Sequence, residues 1–120
     1  MRDDGRLASA MPYDEDLANR LRELLADEDR ITEKKMFGGL AFLLNGHMSV
    51  SASGKGGLLV RLDPSETDAA LKRDHVERMV MGGRSMDGWL RVAPEGVRTK
   101  RQLQPWVKRS VRFVKTLPLK

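Results

Sequence analysis

The chain has 120 residues, of which 40% are hydrophobic, 32% are charged and 5% are aromatic, and it contains no cysteine. This length is typical of one domain with one core, and the absence of cysteine excludes disulfides and thiolate chemistry. The sequence shows neither a secretory signal nor an apolar run of the roughly 18 residues that a membrane span needs. We therefore expect a single cytoplasmic domain without membrane contact.

The charge of the chain is distributed unevenly. The net charge is +5, yet Met1–Gly96 carries −3, because it holds 17 acidic and 14 basic residues. The remaining segment, Val97–Lys120, carries eight basic residues and no acid. Such a segment is typical of surfaces that bind nucleic acid or acidic proteins.

The first ten residues show no apolar periodicity, so residues 1–10 are predicted to be a disordered extension of a domain that spans residues 11–120. Asp14 is predicted to cap the first helix, with Glu15 and Asp16 in its first turn. The apolar face of this helix comes from leucines at helical spacing, namely Leu17, Leu21, Leu24 and Leu25.

Strands are predicted next, in the ranges Thr32–Phe37, Leu40–Leu44, His47–Ser51 and Leu58–Leu62. Asn45–Gly46 favours the positive φ angles of a type I′ turn and therefore predicts a hairpin. The strand before this turn is apolar on both faces, as expected of a central strand or of one that a partner covers. Leu40, Phe42 and Leu43 are therefore candidates for a dimer or partner surface.

The second half of the chain returns to helix and then to strand. Asp63–Pro64 predicts the start of a helix that runs to about Arg73. Val76–Met81 and Trp89–Val92 are predicted strands, joined by a loop over Gly82–Gly88.

A third helix is predicted to start at Thr99, which forms a capping box with Gln102, and to end at Pro118. Pro105 is expected to distort its opening turn, because proline lacks a backbone donor. The predicted order is one helix, three or four antiparallel strands, a helix, two strands and a helix. This order indicates an α+β fold with helices packed on an antiparallel sheet.

The sequence offers little catalytic chemistry. His47 and His75 have no carboxylate at ligand spacing, so we expect no metal site and no cofactor. No serine lies in a nucleophile elbow, and Gly54–Gly57 lacks the spacing of a triphosphate loop. Within the predicted loop Gly82–Gly88, Arg84 is a candidate contact for an anion or a small ligand. The sequence therefore predicts a protein that binds rather than an enzyme.

The last helix is the most distinctive feature of the sequence. Its basic side chains lie mostly opposite the apolar stripe of the same helix. Such a face can neutralise phosphates, although aromatic residues for base stacking are scarce. The candidates for contact with nucleic acid or an acidic partner are Arg101, Lys108, Arg109, Arg112 and Lys115.

The chain resembles the N-terminal domain of the TfoX/Sxy family. The segments that carry the resemblance are Lys34–Gly39, Leu40–Phe42, Gly57–Arg61, Met81–Met86 and Gly88–Val92, followed by the helix that contains Trp106 and Val107. The resemblance extends over residues 11–119 and implies a secretion-chaperone-like α+β fold, a homodimer and no catalytic activity. Relatives of known role regulate natural competence together with a transcription activator, and they carry a second helical domain that this sequence does not show.

Three hypotheses of function follow. The first is a regulatory or adaptor domain that binds itself and a transcription-regulatory protein. The second is a nucleic-acid-binding module that uses the last helix. The third is a small-ligand binder at the Gly82–Gly88 loop.

Overall fold

The computed structural model describes residues 13–36 and 38–118. It has three helices, α1 (Glu15–Leu24), α2 (Thr67–Leu71) and α3 (Lys100–Val114). Its strands are β1 (Ile31–Met36), β2 (Gly39–Leu44), β3 (His47–Ala52), β4 (Leu58–Arg61), β5 (Val76–Met81) and β6 (Arg84–Val92). They form one antiparallel sheet in the order β1-β2-β3-β4-β6-β5. The predicted α+β class is confirmed, and the predicted extension 1–10 lies outside the described residues.

The helix starts follow from local hydrogen bonds. The Asp14 carboxylate accepts the N–H groups of Asp16 and Leu17 at 2.9 and 3.2 Å, which satisfies donors that the first turn leaves unpaired. The capping box of Thr99 and Gln102 is present at the start of α3. This helix continues through Pro105 to Val114, so the proline does not end it.

The hairpin between β2 and β3 has the predicted turn, since Asn45 and Gly46 have φ angles of 55° and 86°. The register then shifts, because Phe42 is opposite Val50 whereas Leu43 is opposite Met48. The extra residue is Ser49, which forms a β-bulge. Its hydroxyl lies 2.7 Å from the hydroxyl of Ser110 on α3, and both side chains are fully buried.

Three predicted boundaries differ from the structure. The last helix was expected to end at Pro118 but ends at Val114. The second helix was expected to reach Arg73, but it consists of a 3₁₀ turn at Pro64–Glu66 followed by α2, which ends at Leu71. The chain turns beyond it, where His75 has a φ angle of 68°.

The predicted Gly82–Gly88 loop is also corrected. Only Gly82 and Gly83 form the turn, with φ angles of 60° and 79°, and β6 already begins at Arg84. Ser85 and Arg84 pair with Val80 and Met81 of β5. The polar composition of this hairpin end hides the strand, because both of its faces lie at the surface and carry no apolar alternation.

The main core lies between the helices and one face of the sheet. The largest side chains in it are almost fully buried and come from α1, α3 and the four strands β2, β3, β4 and β6 or their flanks, for example Leu17, Leu21, Phe42, Val60, Leu90 and Leu103. In the part of the chain that the structure describes, no helix has the length and apolar character needed to cross a membrane. All three helices cover the same face, so the opposite face of the sheet carries no helix of residues 13–36 and 38–118.

Candidate protein-binding face

The opposite face of the sheet, here called the helix-free face, carries its own apolar cluster. Side chains alternate along strands, so the residues between the core positions point to this face. Its buried members are Ala41, Met48, Leu59 and Met79, and its partly buried members are Met36, Leu43, Met86 and Trp89. Four of these eight side chains are methionines, which adapt to irregular contact surfaces because they are unbranched and polarisable.

Two cavities lie on the helix-free face. The larger has a volume of about 470 Å³ and is lined by Lys34, Met36, Leu43, Gly46, His47, Met48, Arg61 and Trp89. The smaller measures about 260 Å³ and is lined by Met36, Ser51, Ser53, Lys55, Leu59, Met79, Val80, Gly82 and Arg91. Met36 lines both cavities. The described residues of each lining include two of permanent positive charge and no carboxylate.

Arg61 is the most unusual residue of the larger cavity. Its guanidinium lies 4.9 Å from the ring centre of Trp89 and 5.7 Å from that of Phe113, within the range of cation–π attraction. Burial lowers the pKa of Arg61 from its ordinary value. Among the described residues, no carboxylate lies within ion-pair distance of its guanidinium. Within the described part of the chain, Arg61 is therefore a half-buried cation that contacts two aromatic rings and no carboxylate.

Backbone contacts next to Trp89 fix its place opposite Arg61. The Gly88 N–H donates to the Thr67 hydroxyl at 2.7 Å, and the Gly88 carbonyl accepts from the Leu62 N–H at 2.7 Å. A side chain at Gly88 would approach the Leu62 carbonyl oxygen to 2.6 Å. The close backbone approach therefore requires glycine immediately before Trp89.

The glycines of the first hairpin fix the other end of the face. Gly38 has a φ angle of 78°, and a Cβ at Gly39 would lie 2.2 Å from the Ala52 carbonyl oxygen. A Cβ at Gly54 would lie 2.3 Å from the Gly38 carbonyl oxygen. The Gly38–Gly39 corner thus packs against the β3–β4 loop and holds the end of β1, which carries Met36, beside the cavities. The close backbone approaches at positions 39 and 54 require glycine, and Phe37 lies outside the described residues.

The predicted partner residues of β2 separate between the two faces. Leu40 and Phe42 are 5% and 1% exposed and belong to the core beneath the helices. A partner cannot contact them without opening the fold, so the candidate surface is corrected at these two positions. Leu43 lies on the helix-free face and lines the larger cavity.

The basic residues of α3 also separate into two groups. Arg101, Lys108 and Arg112 are exposed. Arg109 instead donates two hydrogen bonds to one oxygen of Glu66, at 2.6 and 3.0 Å, and the Lys115 ammonium lies 2.8 Å from the Glu28 carboxylate. The predicted basic face therefore comprises three side chains without an ion pair among the described residues and two that bridge to neighbouring elements.

The remaining candidates do not converge on a catalytic arrangement. Arg84 is exposed at the start of β6 and lines neither cavity of the helix-free face. His47 lines the larger cavity and its Nε2 donates to the Pro118 carbonyl, whereas His75 lines other cavities. Among residues 13–36 and 38–118, no group of three or more His, Cys, Asp or Glu side chains could hold a metal ion.

Sequence reasoning missed the helix-free face as a site. Its methionines come from four separate strand positions, and no short motif joins them. The available signal was the presence of apolar residues on both faces of β2 and β4, together with seven methionines in 120 residues. Only Leu43 of this cluster was among the candidates.

Fold and site together define a small α+β domain with helices on one face of its sheet and an apolar, cation-lined surface on the other. The model of the TfoX N-terminal domain family matches residues 23–114. The chain belongs to the TfoX N-terminal domain family, which associates it with regulatory domains related to competence. No curated protein and no solved structure matches the chain.

Proposed function

We propose that this protein is a non-enzymatic regulatory adaptor that binds a protein partner through its helix-free face. The observation that carries the proposal is the apolar cluster on that face, in which Met36, Leu43 and Trp89 remain partly exposed around a cavity of about 470 Å³. An apolar, concave surface bordered by polar groups is typical of a protein-binding site.

The composition of the face suits a partner better than it suits solvent. Methionine side chains adjust to the shape of an incoming surface at low cost, and Trp89 is an aromatic anchor of the kind that dominates binding energies. Covering these side chains removes apolar area from water, which stabilises a complex by roughly 25 cal/mol per Å² before the costs of association. These features support a regulatory role that the protein exerts by contact with a partner protein.

Site-specific photo-cross-linking in cells that express the protein tests this proposal. A benzophenone amino acid replaces Leu43 on the helix-free face, and the matched control carries it at Lys108 on the solvent face of α3. We expect a discrete adduct with a second protein from position 43 only, and its loss when Trp89→Ala is added. An equal adduct pattern from both positions, or none from position 43, would contradict the proposal.

A second candidate function, nucleic-acid binding by α3, is favoured by the exposed side chains Arg101, Lys108 and Arg112. If they contact phosphates, the affinity for duplex DNA should fall with salt, with a slope of roughly −0.9 per phosphate contact. The triple variant R101E/K108E/R112E tests this by fluorescence anisotropy. Arg109 stays unchanged, because its loss would leave Glu66 without its partner. Unaltered affinity in the triple variant would exclude this use of α3.

A further inference from the structure

The charges of the helix-free face specify its ligand more closely than its apolar cluster does. Lys34 and Arg61 line the larger cavity, Lys55 and Arg91 line the smaller, and none of the described residues in either lining is Asp or Glu. The carboxylate closest in the strand register is Glu77, opposite Arg91 on the β5–β6 pair. Lys34 and Arg61 therefore present positive charge to the larger cavity without a neutralising group in its lining.

Arg61 is a partly buried member of this set of cations. A cation that is partly removed from water loses hydration, and a carboxylate partner normally restores the loss. Arg61 has no such partner among the described residues. Its planar guanidinium, stacked on Trp89 at 4.9 Å, is oriented before a ligand arrives and can donate two parallel hydrogen bonds to a carboxylate.

We infer that the helix-free face binds an acidic and apolar peptide segment of the partner, with a carboxylate of that segment on the Arg61 guanidinium and apolar side chains among Met36, Leu43 and Met48. The inference rests on the proposed function, because it names the chemistry of the same site. The apolar lining requires a ligand with apolar groups beside its negative charge, a combination that peptides offer.

Two other occupants fit the face less well. In a symmetric contact each residue meets its own surface patch in the partner copy, so a second copy would bring the cations of two faces together. Nucleic acid would need large aromatic rings free for base stacking. Among the described residues, Trp89 is the only Phe, Tyr or Trp in either lining, and the Arg61 guanidinium already lies over it.

Selection from a random 12-residue peptide library displayed on phage tests the inference. The bait is the full chain, compared with Arg61→Met, which keeps the aliphatic stem and removes the charge, and with Arg61→Lys, which keeps the charge without the planar fork. Arg98→Met is the matched control, because Arg98 is exposed and lines neither cavity. Thermal unfolding of each variant verifies that the fold is intact.

We expect wild type and Arg98→Met to enrich peptides in which Asp or Glu adjoins Leu, Met or Phe. A synthetic peptide of the enriched sequence should bind Arg61→Met about tenfold or more weakly and Arg61→Lys with an intermediate loss. The same peptide with Asn and Gln in place of its acids should lose a similar factor on wild type but little on Arg61→Met.

The inference would be overturned by enrichment of apolar peptides without acids, by equal selection on Arg61→Met, or by no enrichment on wild type. Duplex or single-stranded DNA that binds wild type and depends on Arg61 would overturn it in favour of phosphate recognition. A cross-link from position 43 to a second copy of the chain would overturn it in favour of self-association. Failure of the proposed function itself is seen separately, as the absence of any adduct specific to position 43.

Discussion

Gly54 illustrates how single residues determine the shape of the helix-free face. Gly54 does not have the positive φ angle that favours glycine. Its α-carbon nevertheless lies so close to the Gly38 peptide that no side chain fits between them. The constraint is one of distance, since a Cβ at Gly54 would stand 2.3 Å from the Gly38 oxygen and 2.6 Å from its carbonyl carbon. Backbone atoms on both sides leave no flexible neighbour that could move aside.

We predict that Gly54→Ala lowers the free energy of unfolding by about 1–3 kcal/mol, the usual cost of forcing a methyl group into a filled space. Urea denaturation followed by circular dichroism measures the change. The comparison variant is Gly82→Ala, where a Cβ would meet no atom within 4 Å and only the positive φ angle of 60° opposes the substitution. A loss at Gly54 no larger than that at Gly82 would show that the two backbone segments separate easily.

At the residue scale, some structural roles could be predicted from the sequence and others could not. Asp14, Thr99 and Asn45 act through bonds or φ angles within a few residues, so their roles were predictable. Arg61 was missed, because its importance depends on Trp89 and Phe113, which lie 28 and 52 positions further along the chain. Contacts between residues so far apart in sequence are set by sheet order, which periodicity does not provide.

At the scale of elements, an ion pair joins α1 to the edge strand β1. Arg22 donates to both oxygens of Glu33, at 2.6 and 2.8 Å. This hydrogen bonding is the main reason why the pKa of Glu33 lies below its ordinary value. Because the folded pKa is depressed, the pair stabilises the fold above the pKa of the unfolded chain, and this contribution is lost as the pH falls through the folded value.

The ordinary pKa of Glu is about 4.3. We therefore predict that, as the pH falls below this value, the free energy of unfolding decreases more steeply for wild type than for Glu33→Gln. At pH 7 the variant should be slightly less stable, since a pair exposed to solvent contributes little. Urea unfolding at a series of pH values measures both effects. Glu77→Gln on the other edge strand is the control, and identical pH profiles for Glu33→Gln and wild type would contradict the prediction.

A buried pair of hydroxyl groups joins α3 to β3. Ser110 donates to the Ser49 carbonyl at 2.9 Å, and its hydroxyl lies 2.7 Å from that of Ser49. We expect Ser110→Ala to lower the free energy of unfolding by about 1–3 kcal/mol, because it leaves a buried polar group without its partner. In the double variant S49A/S110A the loss should be less than the sum of the two single losses, and strict additivity in urea denaturation would argue against coupling.

At the scale of the whole molecule, folding brings basic residues of the last segment next to acidic residues from earlier in the sequence. The basic last segment reaches back to acids of the first part of the chain, through Lys115 to Glu28 and Arg109 to Glu66. The α+β class was predictable, because the order of helices and strands restricts the possible layers. The exposure of one sheet face was not, because strand alternation does not tell which face the helices cover.

The homodimer implied by the family resemblance remains a prediction at this scale. We expect sedimentation at twice the mass of one chain at tens of micromolar protein, through a surface other than the helix-free face, because that face would repel its own copy. Leu43→Asp should then keep the dimer. A strict monomer, or a dimer that Leu43→Asp dissociates, would contradict this prediction.

The bulge at Ser49 has a consequence for how the two faces of the sheet can change independently. Because two successive residues, Ser49 and Val50, both point toward the helices, the alternation restarts in the middle of β3. A chain without Ser49 would still direct Met48 outward and Val50 inward, so the inserted serine alters neither apolar pattern. The inserted serine adds a hydrogen-bonded contact to α3 in the middle of the strand. Substitutions of the β3 side chains that face away from the helices can therefore accumulate without changing how α3 packs on the sheet.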